Sequence, residues 1–194
     1  TGFEFTPRCG VYVVEDLTID VRLMCDRALL ALRSIKGMYG ARYAYYDKKM
    51  SYDLVREQKI VNEMETALEE KQFIVYLQPQ YNYRTGEIIG AESLVRWDHP
   101  EKGLLAPGSF IPVLERNGLI TRLDKYVWEE SCRMIRQWID DGTGEVPLSM
   151  NMSRQDFYDI DLFGDISDLV DKYRLTPDLV RFEVTESAYM DNPR

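Results

Sequence analysis

The sequence predicts an α/β fold built on a mainly parallel sheet, and three observations carry that expectation. From Phe73 onward, short apolar runs alternate with longer segments of helical periodicity, which is the pattern of strand–helix units. Two of those runs are separated only by a short loop containing Thr85 and Gly86. A parallel crossover needs about a dozen residues or more, so this one pair should be antiparallel. With 194 residues, 45% of them hydrophobic, the chain can bury a sizeable core as one domain or as parts of two. The alternation leaves open whether the sheet is open or closed into a barrel.

The elements follow in order. A strand-like run over 9–14 leads through Leu17 and Thr18 into a helix. Its apolar positions, Val21, Met24, Cys25, Ala28, Leu29 and Leu32, repeat at helical spacing, so one face should pack on a sheet. Gly37 and Gly40 end that helix, and the aromatic stretch over 43–47 reads as a last strand of an incomplete first unit. Ser51 is the expected N-cap of a charged helix reaching Glu70, with a narrow stripe of Ile60, Val61, Met64, Ala67 and Leu68. A connector between domains and an ordinary core-facing helix both fit that stripe. Beyond it, strands are expected over 73–77, 87–97, 146–152 and 179–186, and helices over 109–117, 121–140 and 165–173. Thr121 and Asp124 resemble a capping box, and Gly142 stops that helix. The opening on Thr1 and the close just past a strand bearing two carboxylates make both ends read as cuts, and the chain as a fragment.

Composition narrows the function. Thirty-three acidic against twenty-four basic residues give a formal charge of −9, which argues against a basic groove for long nucleic acid but not against a small phosphate held by one or two arginines. Three widely spaced cysteines, with no CxxC pair, speak against a disulfide framework or a zinc site and fit a reducing cytoplasm. No run reaches the roughly eighteen apolar residues of a membrane span, so a membrane anchor is expected only in segments outside this chain.

The candidate chemistry lies on the strands. Alternation sends Val180, Phe182 and Val184 to one face and Arg181, Glu183 and Thr185 to the other. The same reading puts Ser149 with Asn151, and Glu92 with Leu94 and Arg96, on inward faces. A lone inward Glu or Asn is ordinarily a hydrogen-bonded structural group. Three of them converging from three strands form instead a set of hard oxygen donors suited to Mg²⁺ or Mn²⁺, and Arg96 adds a planar fork for phosphate. The one histidine, His99, reads as a loop residue with a structural hydrogen bond, and Met150 and Met152 as core.

These residues carry a resemblance. Tyr76-Leu77-Gln78-Pro79, Thr85-Gly86, the run from Gly90 to Pro100 (GAESLVRWDHP), Phe110-Ile111-Pro112, Asn117-Gly118-Leu119-Ile120, Asn151-Met152-Ser153 and Phe182-Glu183-Val184-Thr185-Glu186-Ser187 resemble, in order and spacing, the first half of EAL domains, the cyclic-di-GMP phosphodiesterases. The resemblance implies a (β/α)8 TIM-like barrel with one antiparallel strand, of which the first half is present. It implies Glu92 as signature metal ligand and catalytic residue, Asn151 and Glu183 as further metal ligands, Gln78 and Arg96 as substrate contacts, and Glu186 as the residue that steadies a later loop. The implied reaction is hydrolysis of cyclic-di-GMP to linear pGpG with Mg²⁺ or Mn²⁺. Ser93 stands where the family signature has alanine. The family's paired aspartates, catalytic lysine and later glutamates would fall beyond Arg194, so the 194 residues alone are expected to be inactive. More weakly, 1–47 resembles the end of an α+β GGDEF-like domain through Cys25-Asp26-Arg27-Ala28-Leu29 and the Tyr-rich strand. Leu32-Arg33 replaces the usual Ala-Lys pair, which suggests a degenerate, non-synthesising unit.

The expected organisation is therefore 1–47 GGDEF-like, 48–71 linker helix and 72–194 EAL. The expected activity is a cytoplasmic cyclic-di-GMP phosphodiesterase, and the rival is an EAL-type module that binds cyclic-di-GMP without cutting it. Dimerisation through the EAL portion is suggested by the resemblance alone.

Overall fold

The computed structural model describes residues 7–38, 40–158 and 161–184. The chain forms two compact units, Thr1–Lys59 and Ile60–Arg194.

In the first unit, β1 (Cys9–Val11) and β2 (Tyr43–Tyr45) pair in parallel, with helix α1 (Val21–Ser34) as the crossover between them. Asp20 caps α1, its side chain accepting the Arg22 backbone N–H at 2.7 Å. The helix lies so close to β1 that a Cβ on Gly10 would sit 1.9 Å from the Ala28 carbonyl oxygen and 2.6 Å from the Leu32 nitrogen. That contact sets which helix face is inward. Ala31 and Ile35 are buried, whereas Val21, Cys25 and Leu29, expected inward from spacing, are exposed. Gly10→Ala should force strand and helix apart at a loss of about 1–3 kcal/mol. A lower denaturation midpoint for the first unit is the expected result, and an unchanged midpoint would contradict the close packing.

Helix α2 (Lys48–Glu69) begins three residues before the expected cap. Asp47 receives the Lys49 backbone N–H at 2.9 Å, and Ser51 Oγ instead meets the Tyr46 hydroxyl at 2.7 Å. The C-terminal part of its stripe faces a core. Ile60, Met64 and Ala67 are buried in the core of the second unit, while Tyr52, Leu54 and Val55, earlier in the helix, are exposed.

The second unit carries one sheet in the order β3-β4-β6-β7, with β5 paired to β4 beyond that path. Its strands are β3 (Phe73–Tyr81), β4 (Ile88–His99), β5 (Gly103–Leu105), β6 (Leu148–Met152) and β7 (Val180–Val184). The β3–β4 pair is antiparallel, as the short loop required, and β4–β6 and β6–β7 are parallel. β5 was not expected, because three residues starting on Gly103 carry no alternation to read. The helices are α3 (Ile111–Arg116), α4 (Ile120–Asp140) and α5 (Leu162–Lys172). α4 has no side-chain cap at its N-terminus, so Thr121 and Asp124 do not form a capping box.

The helices cover one face of the sheet. Phe73, Val95 and Trp97 from β3 and β4 meet Phe110, Leu114 and Leu123 in one buried cluster, and Trp128 of α4 packs edge-on against Phe182 of β7 at 5.1 Å. His99 ends β4 rather than lying in a loop, and it is buried. Its Nδ1 accepts the Glu101 backbone N–H at 3.1 Å, and its Nε2 lies 3.2 Å from Glu63 Oε2 and 2.9 Å from Lys102 Nζ.

Candidate functional site

The sheet face away from the helices gathers the polar residues singled out above. On β4, Ala91, Ser93, Val95 and Trp97 are buried toward the helices, so alternation presents Glu92, Leu94 and Arg96 on the other face. On β6, Leu148, Met150 and Met152 enter the core, which turns Ser149 and Asn151 the same way as Glu92. On β7, Val180 and Phe182 pack on the helix side and Arg181 and Glu183 face away.

Register then fixes the neighbours. Gln78 of β3 lies directly opposite Glu92, and Ser149 of β6 flanks Glu92 on its other side. Asn151 lies opposite Glu183. The Asn151 side chain reaches across to β4, where Nδ2 donates to Glu92 Oε1 at 3.1 Å. Two carboxylates and one carboxamide thus sit on three adjacent strands, near the C-terminal ends of β6 and β7. Among the described residues no group of three or more His, Cys, Asp or Glu could hold a metal ion, and the donors here include only two such residues, Glu92 and Glu183. They fit a hard cation in a specific way. Turning the Asn151 carboxamide over exchanges Nδ2 for Oδ1, which sets an amide oxygen against a carboxylate oxygen and calls for a cation between them.

Arg96 stands opposite Ile74, and its Nη1 donates to the Val95 carbonyl at 2.9 Å. Its guanidinium carbon lies 5.7 Å from the ring centre of Tyr76, which shares the outward face of β3 with Gln78. Tyr76 was not singled out from the sequence, although its place two residues before Gln78 puts it on the same face. Ser93, the departure from the family signature, faces the helices and receives a hydrogen bond from Ser131 Oγ of α4 at 2.9 Å, well away from the Glu92 carboxylate. Glu186 lies outside the described residues.

Residues 61–194 match the EAL domain family. A bifunctional diguanylate cyclase/cyclic di-GMP phosphodiesterase, MucR of Pseudomonas aeruginosa, is 30% identical over 167 residues, covering 83% of this chain and 24% of that protein. The signaling protein YkoW of Bacillus subtilis is 35% identical over 182 residues, covering 92% of this chain and 22% of its own length. The chain therefore spans about a quarter of the relatives it matches. Among solved structures, the MucR phosphodiesterase in complex with cyclic-di-GMP superposes with a TM-score of 0.64 at 34% identity, over 69% of this chain and 54% of that one.

Proposed function

This chain belongs to the EAL domain family, and from that premise we propose that it serves a metal-dependent cyclic-di-GMP phosphodiesterase that releases linear pGpG. The observation that carries the reading is the Asn151–Glu92 hydrogen bond between strands, with Glu183 in register beside Asn151. Glu92, Asn151 and Glu183 would hold Mg²⁺ or Mn²⁺ through oxygen. When bound, such an ion supplies Lewis acidity toward a phosphate oxygen and acidifies water. Arg96 offers its fork to the phosphate, and Tyr76 backs that guanidinium from the neighbouring strand. Gln78, which lies opposite Glu92 in the register, would contact the nucleotide beside the scissile phosphodiester. Water adds at phosphorus, the ester oxygen leaves with a proton, and the ring opens to pGpG.

The deciding experiment incubates the full-length protein with cyclic-di-GMP and Mg²⁺ or Mn²⁺, with and without chelator, and separates the products. Chelator-sensitive pGpG is the expected result. Tight binding without product would establish the receptor reading in its place, and neither binding nor product would overturn both. Arg96→Lys removes the bidentate fork while keeping the charge. A loss of about 1.4 kcal/mol corresponds to about tenfold weaker binding, read by calorimetry. Unchanged affinity would take Arg96 out of the site.

The reading extends to the rest of the chain. Residues 1–47 are assigned to the end of a degenerate GGDEF-like domain and 48–71 to the linker helix. Support comes from the 25–29 motif. The full-length protein should make no cyclic-di-GMP from GTP, and synthesis would contradict the degenerate assignment. A cytoplasmic location and a homodimer through the EAL portion complete the proposal, and a monomer by light scattering would remove the dimer.

A further inference from the structure

Asp124 and Asp156 are acidic residues that the proposed chemistry does not use. Asp156 opens the single-turn 3-10 helix Asp156–Tyr158 after β6 and is fully buried. Its Oδ2 accepts both the backbone N–H and the hydroxyl of Ser153, each at 2.7 Å. The Asp124 carboxyl, on α4, comes within hydrogen-bonding reach of Asp156 and Ser153. Yet Asp124 Oδ2 and Asp156 Oδ1 are both buried with no donor among the described residues. Two facing carboxylates in such surroundings cannot both ionise cheaply, whereas one proton between them gives each carboxyl the partner it lacks. Burial first, and the Asp156 charge second, push the Asp124 carboxyl up to about 8.

The pair sits beside the proposed cation site. Trp128, one turn along α4 from Asp124, donates its Nε1 to the Asn151 carbonyl at 3.0 Å. Asn151 is two residues from Ser153, so α4 grips the end of β6 at its backbone and again at the loop that follows. A cavity of about 160 Å³ bordered by Asp124, Asn151, Ser153, Leu94, Ile111 and Glu115 leaves that strand end room to move if the grip fails. Among the described residues, Glu115 of α3 is the other titratable group bordering the cavity, and no basic residue borders it. Lys125, next to Asp124, is engaged by Asp165 of α5 at 2.6 Å.

We propose that Asp124 and Asp156 share one proton and form a latch between α4 and the β6 loop that positions Asn151 for its cation. The functional half of this rests on the metal-site reading; the shared proton does not. The folded chain keeps the Asp124 proton where the unfolded chain has lost it, so this pair's contribution to stability falls as pH rises from about 4 to about 8 and is flat above.

Asp124→Asn replaces the shared proton with a permanent N–H donor and keeps the shape. In the full-length protein it should raise the melting temperature at pH 8 and flatten the fall expected of wild type between pH 5 and 8. A pH profile parallel to wild type would overturn the shared proton. Asp124→Ala removes the donor, and Mn²⁺ binding followed by electron paramagnetic resonance should weaken about tenfold, with Asp124→Asn restoring it. Wild-type Mn²⁺ affinity in the alanine variant would overturn the positioning role. If Asp124→Ala fails to fold, a tenfold loss in Asp124→Asn would overturn it equally. The melting profile needs neither cyclic-di-GMP nor metal, so a wild-type protein with no cation-dependent cyclic-di-GMP binding would sink the phosphodiesterase reading and leave the latch to be judged on its own.

Discussion

Glu92→Gln in the full-length protein should lose cyclic-di-GMP hydrolysis by about a thousandfold while binding the dinucleotide nearly as well as wild type. The substitution keeps the length and an oxygen but removes one of the two negative charges facing the proposed cation. Metal-assisted stabilisation of a phosphoryl transition state is worth several kcal/mol, and each ~1.4 kcal/mol is tenfold in rate. Ground-state contacts through Arg96 and Gln78 remain, so turnover should fall far more than affinity. The fold should survive, because a glutamine at 92 can still pair with the Asn151 carboxamide that now donates to the carboxylate at 3.1 Å. Product release at the wild-type rate would place the chemistry elsewhere.

The largest effect on the fold is expected from Trp97→Ala. Trp97 is 1% exposed, with its ring centre 5.1 Å from that of Phe73 and 5.7 Å from that of Phe110. Its Nε1 donates to Gln72 Oε1 at 2.9 Å, so the substitution also removes a donor from that amide. Deleting a buried tryptophan costs about 3–5 kcal/mol, a large share of the stability of an ordinary domain. Chemical denaturation should show the second unit losing most of its stability. A shift under about 1 kcal/mol would mean that the cluster joining α2, β3, β4 and α3 is not the core it looks to be.

Much of this was legible in the sequence, for identifiable reasons. Strand alternation correctly sorted Asn151 from Met150 and Met152, and Glu92 and Arg96 from Ser93 and Val95, because a period of two leaves no choice once one face is apolar. The antiparallel β3–β4 pair followed from loop length alone. Where the reading failed, tertiary contact overrode local pattern. The inward face of α1 turned on the approach of Gly10 to Ala28, which no helical period records. Asp124 sat where a capping residue would and proved to face a second buried acid thirty-two residues later in the chain, a pairing that only the packing of α4 on the β6 loop creates. Tyr76 reached Arg96 diagonally across two strands, so its signal lay in the register and not in its own segment.

The central claim is that Glu92, Asn151 and Glu183 hold one divalent cation. The most direct measurement is diffraction at the manganese absorption edge from crystals of the full-length protein grown with Mn²⁺ and cyclic-di-GMP. The expected result is an anomalous peak on the outward face of the sheet with the oxygens of Glu92, Asn151 and Glu183 about 2.0–2.2 Å away, close to Mg²⁺–oxygen bond lengths. Well-ordered cyclic-di-GMP with no peak between those three side chains, or a peak held by other residues, would contradict it.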